Sequence, residues 1–261
     1  MLEKMMIRWC EEAAEIARRY HRRTGKLEFK YATEAVTEAD GEIEELLRRR
    51  IGETFPEDLI VGEEFGGPAA STIPAGKRVW QIDPIDGTLN FAMGLPNYCI
   101  SLALLQGSQV LAACIHQPAT GDTFSALAGG GARLNGQLIK VDAEVPLSRS
   151  VVSLQLKNKG LVMRHPQLLH EVSTAPMRVR RCGAFALEIA WVAAGFCHLL
   201  VASFMDEIHP WDVAAGLLLA EEAGAVAMDF KGRPYRIGGP ELLIGSPAAA
   251  RSMADLIGRY S

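Results

Sequence analysis

Two aspartates in the stretch WQIDPIDGTLNF, Asp83 and Asp86, flank a proline, and Gly87 and Thr88 follow directly. Proline and the Gly-Thr pair forbid a continuous helix through the acids, so Asp83 is expected to end a strand and Asp86 to lie in the turn opening the next element. Both carboxylates then point into one small volume. Two such charges about 4 Å apart repel by roughly 4 kcal/mol at an effective dielectric of 20, so the pair needs a proton or a cation. A hard cation with oxygen ligands meets that need. If Asp86 or Thr88 caps a short helix, the amides near Gly87 and Thr88 are left to hold an anion. An ordinary Asp-Pro turn accounts for these residues equally well, so the decision rests on acids elsewhere.

Two more stretches supply them. LIVGEEFGG ends an apolar strand with Glu63 and Glu64, whose side chains strand geometry sends to opposite faces, one toward a site and one toward solvent. IHPWDVAAGLLLAEEAGA puts Asp212 in the first turn of an apolar helix, where the dipole favours a carboxylate; a plain N-cap worth about 1 kcal/mol is the alternative. The sequence holds no G-x-S-x-G elbow, no H-E-x-x-H and no phosphate-binding G-x-x-x-x-G-K-[ST] loop. Its six histidines form no ligand set, and His209, near Asp212, reads as a structural loop residue.

These acids need elements to hold them. With 261 residues, 49% hydrophobic and 22% charged, the chain can bury a sizeable core. Lys and Arg number 27 against 31 acids, a formal charge of −4, which argues against electrostatic capture of nucleic acid or anionic lipid. The amphipathic, charged N-terminus and the lack of any long apolar run lead us to expect a cytoplasmic protein without a membrane partner. Five scattered cysteines without a Cys-x-x-Cys pair read as reduced core residues. Helical periodicity covers residues 3–23 and 38–52, with a loop or loose hairpin between them. From about residue 58 the pattern is that of a mostly antiparallel sheet. After about residue 146 strands and helices alternate, with helices near 160–172, 184–195 and 211–223 and another at the end. Residues 1–145 therefore form an α+β half with most of the acids, and residues 146–261 an α/β half supplying Asp212, packed as one unit.

GEE, WQIDPIDGTLNF and WDVAAGLLLAEEAGA, in this order and at these separations, resemble the signature motifs of the inositol monophosphatase family, magnesium-dependent, lithium-sensitive phosphomonoesterases. GGGARLNGQ resembles that family's Gly-rich turn. The resemblance covers nearly the whole chain and implies a mixed α/β, five-layered α-β-α-β-α sandwich. It further implies two or three magnesium ions: Glu63, Asp83 and the carbonyl of Ile85 on one, Asp83, Asp86 and Asp212 on the second. Gly87 and Thr88 would offer amides to the substrate phosphate. Asp40 would pair with Thr88 to activate water, with Glu63 as a further catalytic acid, and Lys30 and Glu34 match a loop over the metals. A homodimer acting on a small phosphorylated metabolite is implied.

The segment before the WD motif departs from the family pattern. His198 stands where an aspartate is expected, extra residues intervene, and the glutamate that meets inositol hydroxyls has no clear counterpart other than Asp206 or Glu207. A polyol pocket without its acceptor loses preference for myo-inositol phosphate. Fructose 1,6-bisphosphate, histidinol phosphate, NADP and 3'-phosphoadenosine 5'-phosphate, the substrates of relatives, therefore stay open. A regulatory RNA- or protein-binding role on the same fold is the alternative of another class. The basic clusters RRYHRRTGK and RVRRC read more simply as solvated charges than as a second phosphate site.

Overall fold

The computed structural model describes residues 1–21, 28–31, 34–36, 38–157 and 164–260. Helix α1 (Leu2–Tyr20) buries Met6, Cys10, Ala13 and Ala17, one stripe at three- and four-residue steps. It stops short of the residue 23 that periodicity suggested, because His21 leaves helical geometry and its ring stacks on Phe91. Strands β1 (Glu28–Tyr31) and β2 (Glu34–Val36) form an antiparallel hairpin, and α2 (Glu38–Thr54) follows.

The first large sheet comprises β3 (Leu59–Gly62), β4 (Arg78–Asp86), then, after the short helix α3 (Thr88–Ala92), β5 (Cys99–Gln106), β6 (Gln109–Gln117), β7 (Asp122–Leu127), β8 (Ala132–Leu134) and β9 (Gln137–Leu138). Its spatial order is its sequence order. Only the β3–β4 pair is parallel. The second half contributes β10 (Val151–Leu156), α4 (Pro166–Thr174), β11 (Arg178–Arg180), α5 (Phe185–Ala193), β12 (Leu199–Ser203), α6 (Pro210–Glu222), β13 (Val226–Met228), β14 (Glu241–Gly245) and α7 (Pro247–Gly258). Its sheet runs β11-β10-β12-β14-β13, with β10 parallel to both its neighbours and β14 antiparallel to both of its own. Helix α4 has Pro166 at its first position, which suits proline; the expected start near residue 160 falls among residues 158–163, which lie outside the described residues.

Side-chain alternation along the strands stacks the layers. On β5, Ile100, Leu102 and Leu104 pack with α1 and α2, while Cys99, Ala103 and Leu105 pack with α5 and α6. On β12, Leu200 and Ala202 meet α5 and α6 from the other side, while Leu199 and Val201 face α4 and α7. The order is therefore helix, sheet, helix, sheet, helix. Helices α5 and α6 touch both sheets and are accordingly apolar on nearly every side. They approach closely at Gly216, where an added Cβ would come within 2.7 Å of Ile189 Cγ2.

Candidate functional site

Strand β4 does not end at Asp83 as the proline suggested; it pairs with β5 through Asp86. Asp83 lies opposite Ser101 and Asp86 opposite Cys99, so three steps on β4 match two on β5. The extra residue is a β-bulge at Pro84 and Ile85. Proline is tolerated there because a bulge already interrupts the hydrogen-bond ladder. In a regular strand, residues three apart point to opposite faces. The bulge corrects the phase: Asp83 and Asp86 both take the face of Cys99, toward the middle helices, while Ile82 and Ile85 both take the face packed on α1 and α2.

Asp83 is 1% exposed, and burial pushes its carboxyl well above the ordinary range, with the charges of Glu63, Asp86, Asp212 and Asp40 adding to the shift. Each of these acids arrives on a different element: Asp40 near the start of α2, Glu63 just after β3, Asp86 on the bulge and Asp212 in the first turn of α6. Oδ1 of Asp83 is buried and accepts no hydrogen bond among the described residues. A buried carboxylate oxygen left without a donor in a ring of acids is what an oxygen-ligated cation would satisfy. Among the described residues, no three His, Cys, Asp or Glu side chains already stand together as a ready metal-ligand group.

Asp86 has a second partner that local sequence could not reveal. Its Oδ1 accepts the amide of Phe185 at 2.7 Å and its Oδ2 that of Leu187 at 3.0 Å, so it caps the N-terminus of α5 from another sheet. Burial raises its pKa, and these amides, Cys99 and the charge of Lys157 oppose the rise. Oδ1 keeps a further lone pair for a cation, while Oδ2 also accepts the Cys99 thiol at 3.5 Å. One turn on, fully buried Glu188 accepts from Ser153 Oγ, Gln155 Nε2 and, at 3.2 Å, the amide of Ala184. Burial, with the Asp86 charge adding to it, raises Glu188 to about 7. Its place in the first turn of an apolar helix was the available signal.

Gly87 adopts φ +88°, the left-handed region, and an added Cβ would lie 2.8 Å from the carbonyl oxygen of Asn97. It opens α3, where the first amides lack intrahelical acceptors. The Thr88 hydroxyl donates to the carbonyl of Ile85 at 3.0 Å. Asn90 Nδ2 donates to Asn97 and Cys182 carbonyls, each at 2.7 Å, fixing α3 to the loop before α5.

Glu63 and Glu64 leave β3 in a turn rather than extending it, so strand alternation does not set which way their side chains point. Fully buried Glu44, one helical turn beyond Asp40, sets that turn by accepting the amides of Glu64 at 2.7 Å and Phe65 at 3.2 Å. Arg48 Nε pairs with Glu44 at 2.7 Å. A Cβ on Gly62 would fall 2.2 Å from Glu44 Oε1, which is why glycine precedes the two glutamates.

Lys30 and Glu34 contribute backbone to the β1–β2 hairpin, whose second strand runs beside α3; their side chains lie outside the described residues. Glu207 is half-exposed, stands 3.4 Å from His209 and shares Tyr235 as an electrostatic neighbour with Asp212, whereas Asp206 is exposed. His209 stacks on Trp211, a structural role. His198 accepts the amide of Val151 at 2.9 Å through Nδ1, tying β12 to β10. The arginines of RVRRC lie on and just after edge strand β11, where charge discourages further pairing.

The sequence matches the family described as "Inositol monophosphatase family" over residues 2–259. An inositol monophosphatase of Dictyostelium discoideum is 32% identical over 247 residues, 93% of this chain and 89% of that one. A histidinol-phosphatase of Chlorobaculum parvum is 37% identical over 232 residues, 85% of this chain and 83% of that one. Among solved structures, the Thermotoga maritima IMPase superposes with a TM-score of 0.87 at 29% identity, covering 98% of this chain and 96% of that one.

Proposed function

Because the chain belongs to the inositol monophosphatase family, we propose that it hydrolyses a small phosphate monoester by attack of water, without a phospho-enzyme. The observation that carries this reading is the bulge that sets buried Asp83 and Asp86 on one face, with an unpartnered Asp83 oxygen ringed by acids. The oxygen donors suit magnesium: Glu63, Asp83, the Ile85 carbonyl, Asp86 and Asp212 would hold two or three ions. When bound, such ions neutralise a phosphate, lower the pKa of coordinated water and stabilise a leaving alkoxide. The chain's own part is to hold five acids in register, to present the Gly87 and Thr88 amides to phosphate oxygens and to orient water through Asp40 and Thr88. Lys30 and Glu34, on the hairpin beside α3, would close over that phosphate.

No helix among the described residues is long and apolar enough to cross a membrane. A cytoplasmic homodimer, inhibited by lithium, completes the proposal. The test is phosphate release from inositol 1-phosphate, fructose 1,6-bisphosphate, histidinol phosphate, NADP and 3'-phosphoadenosine 5'-phosphate, with and without magnesium, beside Asp83→Asn. Magnesium-dependent turnover that Asp83→Asn abolishes is expected. A folded parent that turns over none of the panel, yet binds RNA or a protein, would instead favour the regulatory role.

A further inference from the structure

Beyond the acids, the ends of two strands carry residues that the reaction itself does not explain. Strands β10 and β12 are parallel neighbours, and the residues just past their carboxyl ends are Lys157 and Phe204. Ligands of parallel sheets gather at that end. The two residues are fixed to each other: the Lys157 amide donates to the Ser203 carbonyl at 2.8 Å, and the Lys157 ammonium sits 4.3 Å from the centre of the Phe204 ring. Phe204 in turn packs edge-on against Phe185, 5.3 Å between ring centres, and the Phe185 amide is the one that holds Asp86 at 2.7 Å. A continuous path therefore runs from the acid cluster through two aromatic rings to a cation.

Lys157 is exposed, and the contact shown for its ammonium is the Phe204 ring. A face-on aromatic ring steadies an ammonium and leaves its N–H donors for a further acceptor. Hydroxyl recognition calls for buried acceptors, and apart from Ser203, whose buried hydroxyl has no hydrogen-bond partner among the described residues, the corresponding stretch here is apolar, with Leu199, Leu200, Val201, Ala202 and Phe204 all buried. The ends of β10 and β12, two aromatic rings away from Asp86, thus carry a positive charge on an aromatic support.

We propose that Lys157, supported by Phe204, is a specificity-determining residue that binds a second anionic group of the substrate, so that the preferred substrates are phosphomonoesters carrying another phosphate or a carboxylate. This rests on the phosphatase reading, which p-nitrophenyl phosphate turnover by the parent protein checks separately. The decisive measurement is calorimetric binding in calcium, used as a non-turnover cation, of fructose 1,6-bisphosphate, 3-phosphoglycerate and glucose 1-phosphate. The parent protein should bind at least one of the two probes that carry a second anionic group about tenfold more tightly than glucose 1-phosphate. The phosphate and carboxylate probes distinguish the two anion types. Lys157→Met should bring that ratio to about one, and Lys157→Arg should keep most of it. No preference in the parent, a preference that survives Lys157→Met, or no binding of any probe would each overturn the assignment. If p-nitrophenyl phosphate is hydrolysed in those cases, the phosphatase reading stands without it.

Discussion

Two buried groups make opposite demands on pH, and substituting each in turn should unmask the other. His116 on β6 is 3% exposed; burial, with the nearby Arg18 charge adding to it, lowers its pKa from 6.5 to about 4, and Nδ1 bonds Thr123 Oγ1 at 2.8 Å. Its folded form binds the proton more weakly than the unfolded chain does. The stability it contributes is complete above pH 6.5 and is lost as pH falls through about 4. Glu188 is the reverse. Raised from 4.5 to about 7, it contributes stability that is complete below pH 4.5 and lost as pH rises through about 7. Each shift corresponds to about 3 kcal/mol. Over the shared interval the two nearly cancel in the parent protein. Urea unfolding of the metal-free protein at pH 4.5 and 7.5 measures this, with His116→Gln and Glu188→Gln alongside. On acidification His116→Gln should gain about 3 kcal/mol relative to the parent, and Glu188→Gln should lose about the same. Asp83 and Asp86, also raised, push in the Glu188 direction but are common to all three proteins. Variants whose stabilities changed with pH in parallel with the parent would refute the reasoning.

Glu44→Gln leaves Arg48 without its carboxylate partner and only one oxygen for the Glu64 and Phe65 amides, so a loss of about 3 kcal/mol in urea unfolding is expected, together with weaker magnesium binding by calorimetry. An unchanged unfolding midpoint would remove Glu44 from the account of the glutamate turn. Gly87→Ala forces a left-handed alanine against the Asn97 carbonyl and should cost about 2 kcal/mol while depressing phosphate release; full activity with unchanged stability would show that the turn tolerates a Cβ.

The acids themselves were legible because their surroundings are local: glycine pairs, a proline and an apolar helix start punctuate Glu63, Asp83, Asp86 and Asp212 in the sequence. The antiparallel-then-alternating pattern likewise matched the sheets, since period-two burial on β5 and β12 leaves a direct trace in residue type. What escaped depends on partners far along the chain. Pro84 reads as a strand stop, yet pairing with β5 carries β4 through it. Asp86 bonds amides about a hundred positions away, and Glu44 reaches a turn twenty residues on; neither relation leaves a local spacing to detect. The end of α1 was missed because His21 is drawn to Phe91 and Tyr98, a tertiary contact that overrides helical periodicity. Lys157 offered no motif at all, being one lysine after an apolar strand until Phe204 is set beneath it.

The bulge on β4 also bears on which length changes this chain could survive. Ile85 and Asp86 follow the extra residue, one bound for the apolar layer under α1 and α2 and the other for the acid cluster. Flattening the bulge into a regular strand while keeping all its residues would exchange their destinations, driving a carboxylate into hydrocarbon while pointing isoleucine at the acids, whereas deleting the extra residue would remove the bulge and leave both on the faces they now take. The core and the acid cluster therefore depend on one irregularity: what returns Asp86 to the acids also returns Ile85 to the apolar layer. The phase between Asp83 and Asp86 is held as firmly by the packing of Ile85 as by any reaction the acids serve.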